Sequence, residues 1–318
     1  MSSPDLPRKP TLKQRWWQLR WHLRAKSHIA VGYLVVLLMH VMRRGNRKRT
    51  ANFLAASMRT VGPWLREHRI ARDNLTAAFP EKSPQEIDAI LSGTWDNLGR
   101  VAAEFLHLDR ITIRDPDKPV GDADVTYGDG AVDKIRAFQA PDARIFFGTH
   151  LGNWELPARF ARKYDVDCTS LFRAPNIRPI ADAIVELRAG CMGTLVPSGF
   201  DAPIRLARAL ERGGKAAMLV DQYDSRGIDI TFFGRVCKAS PLLAQLARHL
   251  DCPIHGARMV RLADRNKFWV EITDPIEPVR DAEGKIDIAG TTQAIANVIE
   301  AWVREHPDQW LWQHRRWR

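Results

Sequence analysis

Arg144-Ile-Phe-Phe-Gly148-Thr-His150-Leu-Gly152-Asn153-Trp-Glu155-Leu156 is the stretch whose reading decides the fold. A short apolar run ends at Gly148, and a helical pattern begins a few residues later. That is how a strand delivers its end to a turn and a helix. Outward from it, apolar runs recur as strands over 144–148, 167–172, 194–197, 216–221, 253–262 and 268–273. Amphipathic stretches over 153–164, 177–191, 201–212, 240–250 and 291–305 predict the helices between them. This alternation predicts an α/β sheet with helices packed on it. In such sheets chemistry collects where strands end and helices begin, because backbone N–H groups there are free to meet anions.

Upstream the period changes. Ile87, Ile90, Leu91, Trp95 and Leu98 repeat at helical spacing, and Ser83-Pro84-x-Glu86 reads as a helix start, so 50–110 is expected to be helical. Residues 111–143, rich in Asp, Gly and Pro, read as a linker with one short helix. At the N-terminus, Arg8, Lys9, Lys13, Arg15, Arg20, Arg24 and Lys26 interleave with Trp16, Trp17 and Trp21. The apolar run Ile29–Met42 follows, then Arg43, Arg44, Arg47, Lys48 and Arg49. A helix over that run rises about 21 Å, short of the roughly 30 Å of a bilayer core. Both flanks are basic, so the reading preferred is a helix lying in or dipping into a leaflet. A buried core helix and a tilted single span fit the same run. The expected division is 1–43 basic leader and membrane-associated helix, 44–143 helical segment and linker, and 144–318 α/β core.

A chain of 318 residues with 45% hydrophobic content excludes wholesale disorder. Its 48 Lys and Arg against 37 Asp and Glu leave a charge of +11, which favours polyanionic partners. No helix-turn-helix, zinc finger or aromatic RNA-binding strand is legible, so nucleic acid is not an expected partner. Cys168, Cys191, Cys237 and Cys252 form no C-x-x-C pair and meet no His cluster, so neither a metal nor a disulfide is expected. The apolar run begins late and lacks a cleavage site, unlike a secretory signal. G-x-S-x-G and P-loop patterns are missing as well.

His150 sits in the turn after the strand, with Glu155 five residues on, able to curl back towards one ring nitrogen. A carboxylate there would fix the tautomer and free the other nitrogen to take a proton from a hydroxyl. The spacing alone is weak, since His68 and Asp73 share it, but that pair follows no strand and reads as a solvated face. Gly148 and Gly152 permit a tight backbone, and Asn153 reads as a helix cap. The alternative is a histidine that merely satisfies a turn. Three further blocks follow strands or turns: Arg173 to Asn176, Asp221-Gln222, and Phe233-Gly234-Arg235. Arg173 suits a phosphate or carboxylate clamp, though a surface ion pair gives the same pattern.

These blocks together resemble the lipid A late acyltransferase family, in the form found in α-proteobacteria. The matching stretches are Ala71-Arg-Asp-Asn-Leu-Thr-Ala-Ala-Phe-Pro80, Gly148 to Leu156, Phe172-Arg173 with Asn176, Asp221-Gln222, Phe232 to Arg235, and Gln309 to Arg316. They run in family order over roughly residues 30–318. The resemblance implies a glycerolipid-acyltransferase-like sheet with flanking helices. It implies acyl-acyl carrier protein as donor, a lipid A precursor or other anionic glycolipid as acceptor, and no cofactor. It places the protein at the cytoplasmic face of a bacterial inner membrane. His150 would be the general base and Glu155 its orienting group. Arg173, Asn176, Asp221, Gln222, Phe233, Gly234 and Arg235 would line the site, with amides around Gly152 and Asn153 meeting the oxyanion. Many members carry a second proline soon after the Asn, where this chain has Asn176-Ile-Arg-Pro179, and Lys or Met where it has Tyr223-Asp224. A related acyltransferase on another lipid and a non-catalytic membrane protein are the alternative readings.

Overall fold

The computed structural model describes residues 12–117, 121–128 and 130–318, so the first eleven residues of the basic leader lie outside it. Helix α1 (Leu12–Arg44) is followed by α2 (Arg47–Val61), α3 (Arg66–Ala78) and α4 (Pro84–Leu106). Strand β1 (Val125–Tyr127) and α5 (Ala131–Ala137) lead into β2 (Arg144–Gly148) and α6 (Leu156–Lys163). Then come β3 (Cys168–Phe172), α7 (Arg178–Ala189), β4 (Leu195–Pro197), α8 (Ala202–Glu211) and β5 (Lys215–Leu219). The hairpin β6 (Ile228–Phe232) and β7 (Arg235–Ala239) precedes α9 (Leu242–Leu250), β8 (Ile254–Arg261), β9 (Phe268–Ile272) and α10 (Ile288–Glu305).

Seven strands form a mostly parallel sheet in the order β1-β9-β8-β2-β5-β3-β4, with β8 and β9 antiparallel. The α/β sheet expected from the sequence is therefore present. Strand periodicity divides its side chains between two faces. Ile145, Phe147, Ala216 and Met218 face one apolar core with residues of α3, α4, α9 and α10. Phe146, Met259 and Val270 face a second core with α5 and α6. Leu75 and Leu91 of the helical segment share the first core with Ile145 and Trp302, so one buried cluster runs across residue 144.

Three elements differ from the sequence reading. Helix α1 does not wait for the apolar run but starts at Leu12, because 12–44 contains no proline to stop it. Its 33 residues span about 50 Å. Among the described residues, no helix is long and apolar enough to cross a membrane. Strand β1 arises inside the expected linker and pairs in parallel with β9 at the sheet edge. The hairpin β6–β7 lies apart as a two-stranded sheet. Its turn is Phe233-Gly234, both at positive φ (51° and 68°), the conformation that a tight two-residue hairpin requires. The capping box at Ser83 and Glu86 forms as the spacing predicts.

A buried polar network ties the layers together. Arg261, at the end of β8, donates to both oxygens of Glu104 in α4 at 2.5 and 2.9 Å, and both side chains are fully buried. Its Nε also donates to Asn97, and Asn97 donates to the carbonyls of Gly152 and Gln309. Glu104→Gln leaves an uncompensated buried guanidinium, so a loss of about 3–5 kcal/mol is expected. Chemical denaturation reads it directly.

Candidate active site

Strands β2 and β5 are parallel neighbours with Gly148 opposite Leu219. Two residues beyond each partner stand His150 and Asp221, so the two chains leave the sheet holding these side chains together. Nδ1–H of His150 donates to Oδ1 of Asp221 at 2.8 Å. Oδ2 accepts from the His150 backbone N–H (2.8 Å), the Thr149 hydroxyl (2.7 Å) and the Trp310 indole N–H (2.8 Å). Burial alone would raise the pKa of Asp221, but the adjacent imidazole and these hydrogen bonds outweigh it. They hold the carboxyl far below the usual carboxylate range. An ionised Asp221 fixes the Nδ1–H tautomer, so Nε2 carries the lone pair. The amide N–H of Gln222 donates to that nitrogen at 3.3 Å, and the Trp154 ring lies 5.2 Å from the imidazole.

His150 opens onto a cavity of about 950 Å³. Its polar rim includes Arg173, Asn176, Gln222 and Arg226, and Glu155 is buried in its wall. Its interior is apolar, lined by Phe146, Phe160, Val166, Cys168, Met259 and Val270 of the second core. Arg173 and Asn176 are exposed at the rim, following β3. Arg173 has no acidic partner among the described residues.

Glu155 does not reach His150. It lies just before α6, and its oxygens accept from Nη2 and Nε of Arg188 in α7 at 2.6 and 3.0 Å. That guanidinium is flanked by the rings of Phe105 and Phe172, 5.5 and 5.6 Å away. A two-pronged charged pair in a buried wall outcompetes one bond to an imidazole whose Nδ1 is already taken. The orienting carboxylate is therefore Asp221, which the sequence reading had placed on the substrate.

Other expectations shift as well. The N–H of Gly152 is already committed to the Gln309 carbonyl at 3.0 Å, so it is not an oxyanion donor here. Gly152 is nonetheless required, since its φ is +60° and a Cβ would strike the Met259 carbonyl oxygen. Asn153 is buried; its Oδ1 accepts from the Glu155 N–H and its amide donates to Glu104 at 2.8 Å. It shapes the turn that leads into α6 rather than capping the helix, whose N-cap position is Glu155. Phe233, Gly234 and Arg235 lie outside the cavity. Phe233 packs edge-on to Phe79 and Trp312, and Arg235 covers Trp317, because the hairpin turn points them into the C-terminal tail. His68 is half-buried, with its Nδ1 accepting from Trp95, rather than solvated.

Arg188, Trp154 and Trp310 were missed. Arg188 falls in an ordinary amphipathic helix with nothing local to mark it. Trp310 belongs to the tail stretch Gln309 to Arg316, and nothing local in that stretch signals that its indole reaches Asp221.

Fold and site together define an α/β protein that sets a carboxylate-paired imidazole at the polar mouth of an apolar cavity, the equipment of an acyl-transferring enzyme. The family described as bacterial lipid A biosynthesis acyltransferase matches residues 17–318, nearly the whole chain, and the chain belongs to it. It is an acyltransferase of lipid A biosynthesis. A search of curated protein sequences returned no match.

The geometry separates the two carboxylates. Asp221→Asn should flip the His150 tautomer and lower kcat by about 10³- to 10⁴-fold with a modest change in Tm. Glu155→Gln keeps the Asp221 bond but strands Arg188, so about 3–5 kcal/mol of stability should go. Steady-state kinetics and thermal melts on both variants distinguish a shared role from these separate ones.

Proposed function

We propose that the protein moves a fatty-acyl chain from acyl-acyl carrier protein to a hydroxyl of a lipid A precursor at the cytoplasmic face of a bacterial inner membrane. The observation that carries this reading is the His150–Asp221 pair at the rim of an apolar cavity. The acyl chain lies along Phe146, Met259 and Val270, and its thioester carbonyl rests at the rim. The acceptor hydroxyl displaces the Gln222 amide from Nε2 of His150. As its oxygen attacks the carbonyl carbon, its proton passes to Nε2, and Asp221 stabilises the imidazolium. The side-chain amide of Gln222 is then placed to donate to the oxyanion. Collapse breaks the C–S bond, and the proton leaves His150 for the carrier's thiolate. Arg173 meets a phosphate, of the acceptor or of the carrier's arm.

His150→Ala should lower transfer by about 10²- to 10⁴-fold, the usual contribution of a general base. Its fold should be kept, since the imidazole lies at the rim. A purified-enzyme assay with acyl carrier protein thioester and lipid A precursor, read by mass spectrometry, tests donor, acceptor and base together. Wild-type turnover by the variant overturns the mechanism.

Chain length should follow the apolar interior. Ala217 lines the cavity from β5. Ala217→Phe shortens the space, and each methylene excluded loses about 0.8 kcal/mol, roughly fourfold in preference. Competition between acyl donors of different length should shift towards the shorter one. An unchanged product profile would place the chain elsewhere.

A further inference from the structure

Two exposed apolar parts adjoin the loops that form the rim of the cavity. Strands β3 and β4 are parallel neighbours with Phe172 opposite Pro197, so the loops that follow them emerge side by side. The first loop carries Arg173 to Asn176 on the rim, and Gly32 of α1 packs against Ile177 and Pro179 just beyond it. The other side of α1 is bare, with Val31, Leu34, Leu37, Leu38 and Val41 exposed. The second loop carries Ser198 on the rim and then Phe200, which is 99% exposed. Helix α8 turns Ala202, Leu206 and Leu210 inwards, which leaves Ile204, Arg205 and Arg208 outside.

A single exposed apolar residue needs no explanation, but an apolar helix face and a phenylalanine tip, each next to one of two neighbouring rim loops, do. The surroundings are basic. Arg205 and Arg178 reach Asp201 and Asp182 only at 3.8 Å in solvent-exposed pairs, which hold weakly. Arg173 and Arg208 have no acidic partner among the described residues. Apolar tips flanked by arginines suit acyl chains below anionic headgroups. A second copy of the same surface would bring like charges together.

We propose that Phe200 and Ile204 insert into an anionic leaflet as a second membrane contact beside α1. The cavity mouth is then pressed onto the leaflet, and a lipid acceptor reaches His150 without crossing water. The proposal rests on the membrane-lipid acceptor reading above and adds the surface that presents it.

The four native cysteines are buried, so Phe200→Cys gives one accessible thiol for an environment-sensitive fluorophore on the full chain. Vesicles containing anionic phospholipid should shift its emission to the blue, and lipids brominated on the acyl chain should quench it. Emission unchanged by vesicles overturns the proposal. So does a blue shift that appears without vesicles as protein concentration rises, which would mark a contact between copies. In a second arm, Phe200→Ser combined with Ile204→Ser should slow transfer to a vesicle-embedded acceptor by about tenfold, the loss of a partly inserted apolar side chain. Transfer to the same acceptor in detergent micelles should be unchanged. Equal losses in both, or no loss in vesicles, overturn it. Label insertion with no acyl transfer by the unmutated chain in either medium would sink the acceptor reading and leave the membrane contact standing.

Discussion

The carboxylate of Asp221 is the point on which the site depends. It is buried and ionised, and it collects four hydrogen bonds, from Thr149, from the backbone and ring of His150, and from Trp310. A lone buried charge would be costly, and here its partners are the parts that must be held still. The same oxygen that receives the His150 backbone N–H fixes the turn, while its neighbour fixes the ring. One group therefore sets both the place and the tautomer of the His150 ring.

Those bonds require contributions from distant segments. The tail reaches back so that Leu311 donates to the His150 carbonyl and the Gln309 carbonyl takes the Gly152 N–H. Asn74 of α3 grips the tail through the carbonyls of Trp312 and His314, and Arg316 donates to the Lys238 carbonyl. The Arg261–Glu104 pair then joins α4 to the end of β8. The helical segment and the tail are thus the clamp around the turn, and the sheet alone would leave His150 unsupported.

Much of the fold was legible because strand and helix periods are local. The strand from Arg144 to Gly148, the helix start at Ser83, and the placement of His150 after a strand all follow from neighbouring residues. The partner of His150 was not legible. Glu155 is close in sequence, whereas Asp221 is close only because β5 lies beside β2 with β3 and β4 displaced outward. Strand order is a tertiary fact, and sequence proximity was a poor substitute for it. The hairpin turn misled in another way. Gly234 suggested a close backbone approach, but a Cβ there would meet nothing nearby, and the glycine answers to its positive φ alone.

Net charge was also an incomplete guide. Arg47, Arg100, Arg258, Arg261 and Arg316 are buried, where they meet carboxylates or carbonyls within the fold. Those arginines serve cohesion and say nothing of a partner. What remains for recognition is positional. Arg173 and Arg226 stand exposed on the cavity rim, and Arg318 lies over Tyr223 on the same rim. A polar, basic rim above an apolar interior divides an amphiphile in the way its own chemistry does, with phosphate or thioester outside and hydrocarbon within. Burial removes those five arginines from recognition, so the chemistry of the mouth rests on the few rim cations and not on the net charge of the chain.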